Sequence, residues 1–151
     1  MLLISGTACD GRPPTHDQAA LKFIDGQQKT LQDYHGKLLL VNFWSVSCPP
    51  CFEEMPLLTQ LRGEFTETQL AIIGIAMPYD RPDLVLETQQ RKQLPYPIAL
   101  DSLSHHSQAF AVAAVPTSLL LSQQGEILAR YTGVFDYQQL HQQIRTHLST
   151  H

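Results

Sequence analysis

Two thiols separated by a pair of prolines, Cys48-Pro49-Pro50-Cys51, are the residues of this chain best suited to chemistry. Cysteines at this spacing can close and open a disulfide between themselves, giving out or taking up two electrons. The attacking species is the thiolate, and the partial positive charge at a helix N-terminus favours that anion. Pro49 and Pro50 fit only the first turn of a helix, where the N–H groups they lack would have had no intrahelical partner. Cys48 then stands near the N-cap as the expected nucleophile, and Cys51 lies inside the first turn as the resolving thiol. The prolines also leave the Cys51 N–H as the nearest backbone donor to the Cys48 sulfur. A less stabilised thiolate makes a less oxidising couple, so the dipeptide favours a reductant.

The flanking sequence supplies the elements that hold this pair. Leu38 to Phe43 is a short, nearly continuous apolar run after His35-Gly36-Lys37, as expected of a strand buried on both faces. The helix opening at Pro49 should run to about Phe65 with Met55, Leu58 and Leu61 inward. Leu70–Ala76 reads as a second buried strand, and Arg81-Pro82-Asp83 opens a helical stretch to Gln93. Ile98–Leu100 is a short apolar piece, followed by a short helix from Ser104 to Ala111. Leu119–Leu121 and Glu126–Tyr131 form a hairpin about Gln124-Gly125, and Leu140, Ile144 and Leu148 mark a last amphipathic helix. Upstream, Asp25-Gly26 punctuates a β-hairpin between Leu21 and Leu31. A strand-helix-strand unit implies a parallel pair and the hairpins antiparallel ones, so the sheet is mixed.

Several function classes are disfavoured by what surrounds the thiols. Ten Lys and Arg against 14 Asp and Glu, scattered without runs, give no basic stripe for nucleic acid. Zinc would need two further ligands at a recognisable spacing, which the seven histidines do not provide. The adjacent His105-His106 reads as a solvated pair at a helix start, so no metal site is expected. Covalent haem attachment requires His directly after the second cysteine, where Phe52 stands. The proline that precedes a peroxidatic cysteine is absent before Cys48, and copper chaperones of the Sco type place three residues between their thiols rather than two.

Met1–Cys9 is apolar and ends in small residues before a cysteine, like the tail of a signal peptide whose cut would leave Cys9 first. It lacks a basic start, so Cys9 is either a lipidated anchor or an incidental thiol. Asp10–Thr15 reads as a polar tether. No segment approaches the ~20 apolar residues of a membrane-spanning helix.

Taken in order, Val41-Asn42-Phe43-Trp44, Cys48-Pro49-Pro50-Cys51, Glu54-Met55-Pro56, Val115-Pro116-Thr117 and the Gly125 hairpin resemble the thioredoxin fold. Within it they are similar to the TlpA/ResA/CcmG-like thiol-disulfide oxidoreductases of the bacterial cell envelope. The resemblance runs from about Phe23 to Leu148. It implies an α/β thioredoxin-like domain over residues 21–151, a central mixed β-sheet flanked by helices with an N-terminal β-hairpin extension. Residues 1–20 are then a signal or lipoprotein remnant and tether. It further implies a cis Val115-Pro116 peptide facing the thiols, and a Glu54 that influences their proton transfers. Trp44, Pro49, Pro50, Val115, Pro116 and Thr117 are expected to contact substrate. No cofactor is expected beyond the Cys48–Cys51 disulfide.

The implied activity is protein disulfide reduction by a monomer, in the periplasm or on the outer face of the inner membrane. A membrane electron donor of the CcdA/DsbD type would recharge the site, and apocytochrome c or copper-site assembly proteins would be substrates. A non-catalytic binding module and a peroxiredoxin-like peroxidase are the alternatives. Two departures stand out. Asn42 replaces the buried aspartate of cytoplasmic thioredoxins and cannot act as a base, and Ser47 replaces the tryptophan usual before the first cysteine.

Overall fold

Residues 18–150 are described in the computed structural model. Cys9 and the tether at 10–15 lie outside them. The order is β1 (Leu21–Phe23), β2 (Gln28–Lys29), a 3-10 turn at Leu31–Tyr34, β3 (Leu38–Trp44), α1 (Pro49–Glu64), β4 (Leu70–Ala76), α2 (Pro82–Lys92), β5 (Ile98–Leu100), α3 (His105–Ala109), β6 (Thr117–Leu121), β7 (Ile127–Thr132) and α4 (Tyr137–Ser149). The strands form one mixed sheet in the order β2-β1-β5-β4-β3-β6-β7. β3 and β4 run parallel, as do β4 and β5, while β1, β6 and β7 join antiparallel to their inner neighbours. This is the thioredoxin-like arrangement, with β1 and β2 as the N-terminal hairpin. Among the described residues no helix is long and apolar enough to cross a membrane.

All seven residues of β3 and all seven of β4 are buried, which only a sheet covered on both faces produces. Alternation then sorts side chains between two cores. Leu38, Leu40 and Trp44 join Leu70, Ile72, Met55, Leu58, Leu61, Leu140, Ile144 and both cysteines on one face. Leu39, Val41 and Phe43 join Ile73, Ile75, Leu119 and Phe110 on the other. Asn42 shares the parity of Leu40 and Trp44, so the strand directs it toward α1.

Trp44, expected at the substrate rim, is instead 1% exposed. Its indole lies over β4, where a methyl group on Gly74 would sit 3.1 Å from Trp44 Nε1 and 2.6 Å from Ile98 Cδ1. An even-numbered β3 side chain is committed to the face that α1 covers, so Trp44 serves the core. His106 also departs from expectation. It is 2% exposed, with Nδ1 3.5 Å from Asp101 Oδ1, because α3 turns it inward while His105 stays exposed. Burial raises the Asp101 carboxyl, but hydrogen bonds from His106 and Ser107 outweigh it and leave the group below its usual value.

Gly74→Ala is expected to cost about 1–3 kcal/mol, because its methyl group overpacks the Trp44–Ile98 contact. The urea midpoint of the variant checks this, and an unchanged midpoint would show that the indole and Ile98 move aside freely.

Candidate active site

Cys48 and Cys51 are joined by a disulfide, with their Cα atoms 5.3 Å apart. Cys48 is the N-cap of α1 in extended backbone geometry, Pro49 and Pro50 occupy the first turn, and Cys51 follows inside it. The Cys51 N–H donates to Cys48 Sγ at 3.2 Å, the donor left once the prolines remove theirs. Cys48 retains 7% of its surface against 2% for Cys51, which leaves the N-cap cysteine the more exposed residue of the two. Pro49 and Pro50 are exposed around it.

Glu54 shares the buried stripe of α1 with Cys51, Met55, Leu58 and Leu61, and none of its surface is exposed. Each of its oxygens is engaged. Oε1 accepts from Asn42 Nδ2 at 2.6 Å and Ser118 Oγ at 3.0 Å, and Oε2 accepts from the Phe135 N–H at 3.2 Å. Asn42 also donates to Ser118 Oγ at 3.0 Å. Asn42 and Ser118 are direct cross-strand partners on β3 and β6, which is how the sheet presents two donors to one helix carboxyl. Burial pushes the Glu54 pKa up to about 7, and the hydrogen bonds from Ser118, Phe135 and Asn42 restrain the rise. Position 42 therefore supplies no acid of its own, and the buried titratable group comes from α1 with Asn42 as its donor.

Tyr96 extends this buried region. Its hydroxyl has no hydrogen-bond partner among the described residues, and burial with the nearby Glu54 charge raises its pKa. Opposite the helix, the Val115–Pro116 peptide is cis, and Val115 packs against the cluster that contains both cysteines. Pro116 O accepts from the Gly133 N–H at 2.8 Å, which fixes this loop to the end of β7. Thr117, expected to face substrate, is 2% exposed and donates its hydroxyl to Ala114 O at 2.6 Å. It begins β6 and braces the loop from inside instead. Among the described residues no group of three or more His, Cys, Asp or Glu could hold a metal ion.

Ser118, Phe135 and Tyr96 were not legible as site residues. Ser118 follows Thr117 at the polar start of β6 and shares the parity of Leu120, a local signal of a polar group aimed at the core that α1 covers. Phe135 takes part through its backbone, which no side-chain pattern reports.

Residues 16–130 match the AhpC/TSA family. A thiol-disulfide oxidoreductase, ResA, of Halalkalibacterium halodurans is 32% identical over 114 residues, 75% of this chain and 64% of that protein. The chain thus spans just under two thirds of that relative's length. The solution structure of a thioredoxin candidate from Neisseria meningitidis superposes with a TM-score of 0.79 at 32% identity, covering 85% of each chain. StoA from Bacillus subtilis shares the fold, with a TM-score of 0.72 over 82% of this chain and 93% of its own at 24% identity.

An acid whose pKa rises on folding holds its proton in the folded chain after the unfolded chain has lost it. Stability is therefore expected to fall as pH rises from 4.5, the ordinary value, to about 7, and to level off above that. The loss is on the order of 3 kcal/mol. Glu54→Gln should flatten this slope in denaturant titrations of the oxidised protein, and a slope that survives the substitution would assign it to another group.

Proposed function

The chain belongs to the AhpC/TSA family, on the side of it that holds the ResA thiol-disulfide oxidoreductases, and from that membership we propose that it reduces protein disulfides. The observation that carries the reading is the Cys48–Cys51 disulfide at the N-terminus of α1, with the buried Glu54 carboxyl one turn beyond Cys51. In the reduced protein the Cys48 thiolate attacks one sulfur of a substrate disulfide and releases the other as a thiolate. Cys51 loses its proton and attacks the Cys48 sulfur, which breaks the mixed disulfide and releases the second substrate thiolate. The protein is left with the Cys48–Cys51 bond seen here, having passed two electrons to substrate.

The parts assist in different ways. The helix N-terminus and the Cys51 N–H stabilise the Cys48 thiolate, but the prolines keep that support small, which favours reduction as the direction. A carboxyl with a pKa of about 7 is matched to accepting and returning a proton near neutrality. Glu54 is the group that this reading assigns to the Cys51 proton. The cis Val115–Pro116 loop, packed against the sulfur-bearing cluster, offers its backbone to an extended substrate segment.

Family resemblance extends the proposal beyond the domain. On that resemblance we propose a reaction in the cell envelope, with Cys9 as the point of lipid attachment, apocytochrome c or copper-site assembly proteins as substrates, and a CcdA/DsbD-type membrane protein as electron donor.

Insulin reduction driven by dithiothreitol should be lost in Cys48→Ala, and unchanged activity would sink the catalytic reading in favour of an inert scaffold. Cys51→Ala should trap a mixed disulfide on Cys48. Equilibration with glutathione should place the couple on the reducing side, and a potential close to that of DsbA, about −120 mV, would refute the reductant assignment.

A further inference from the structure

The segment Ser45-Val46-Ser47 leads directly into Cys48, and its conformation is set from outside by one residue, Asp80. The Cys48 N–H donates to Ser45 O at 3.2 Å, closing a turn over these residues. Asp80 grips the start of that turn twice. Oδ1 accepts from Ser45 Oγ at 2.8 Å and Oδ2 accepts from the Val46 N–H at 3.0 Å. Asp80 is itself fixed, since its N–H donates to Met77 O at 3.0 Å and the Met77 N–H donates to Trp44 O at 3.0 Å. The loop after β4 is thus laced to the end of β3.

These contacts also determine which way the hydroxyl protons point. A carboxylate accepts only, so the single Ser45 hydroxyl proton is committed to Asp80. The 3.1 Å contact between Ser45 Oγ and Ser47 Oγ must then be donated by Ser47. The Ser47 N–H donates to the same Ser45 oxygen at 3.3 Å, which fills both of its acceptor positions. The chain runs from Ser47 to Ser45 to Asp80. The exposed hydroxyl next to Cys48 consequently has no proton left to offer the Cys48 sulfur.

We infer that Asp80 is a positioning residue that acts on Cys48 through the Ser45–Ser47 hydroxyl chain, fixing the turn that presents the sulfur and withholding a hydrogen bond from its thiolate. A withheld donor leaves the dithiol form less stabilised and the couple more reducing. For that consequence the inference rests on the reductant reading. It gives Ser47 a role that a tryptophan could not fill, and it deepens the effect of the two prolines, since backbone and side-chain donors are both kept from the same sulfur.

Asp80→Asn tests the polarity of the chain with little change of shape. The amide oxygen can still accept from the Val46 N–H, while Nδ2 donates to Ser45 Oγ. Ser45 can then donate to Ser47, which frees the Ser47 proton for Cys48. Ser45→Ala breaks the chain differently, keeping the Asp80–Val46 contact, and serves if Asp80→Asn does not fold. In the reduced proteins, the ultraviolet absorbance of the thiolate followed against pH should show the Cys48 pKa lowered by up to about one unit in each variant. The equilibrium with glutathione should move toward the dithiol by up to about tenfold, or about 30 mV. Adding Ser47→Ala to Ser45→Ala should abolish that shift. An unchanged pKa in either single variant overturns the inference, and so does a shift that persists without the Ser47 hydroxyl. A wild-type potential on the oxidising side would instead overturn the reductant reading and leave these differences between variants standing.

Discussion

The buried carboxyl of Glu54 is the constraint on which the arrangement of this site depends. A carboxyl with none of its surface exposed must have its oxygens hydrogen-bonded or it destabilises the fold by several kcal/mol. Here the donors come from β3, β6 and the segment before α4, so satisfying one side chain on α1 brings together four parts of the chain remote in sequence. The helix that carries the cysteines is therefore held in rotation and height against the sheet by a polar contact as well as by Met55, Leu58 and Leu61. Apolar packing alone tolerates small rotations of such a helix. Directional bonds to both oxygens of Glu54 tolerate them much less.

The same contact links architecture to chemistry. Burial raises the Glu54 pKa to about 7, and the three donors keep it from rising further. A group that must gain or lose a proton near neutrality is thereby built into the structural joint beneath the disulfide. The sheet contributes through parity. Asn42 and Trp44 face α1 because they alternate with Val41 and Phe43, and this places the donor of the joint and the packing of the indole on one side. Gly74 completes the arrangement by leaving room beside the Trp44 ring, where an added methyl group would collide with Ile98 Cδ1 and crowd the indole.

Much of the fold was legible because it rests on local patterns. The apolar run expected at Leu38–Phe43 forms β3 with one further residue, and Leu70–Ala76 forms β4 as expected. The helix expected from Pro49 to about Phe65 ends at Glu64 with Phe65 as its C-cap. The Asp25-Gly26 and Gln124-Gly125 turns each join a pair of antiparallel strands, and both glycines take positive φ. What misled was local resemblance read as surface. Trp44 extends a run that is buried throughout, so its neighbours pointed to burial, whereas His106 adjoins the exposed His105 and its burial could not be read from that neighbour. Thr117 sits beside the cis peptide in sequence yet enters β6 and turns inward.

The sequence by itself determined the thiol pair, its place at the start of a helix and the lack of amide donors around the first sulfur. Each of these follows from residue type and spacing within a few positions: two cysteines, two prolines and the apolar run before them. Only the tertiary structure decided what surrounds those sulfurs. Glu54 finds its partners 12, 64 and 81 residues away, and Asp80 reaches Ser45 and Val46 across 35 and 34 residues. Such contacts exist because neighbouring strands and their loops converge at one end of the sheet, and hydrogen bonds between residues so far apart leave no periodic trace in the chain that makes them.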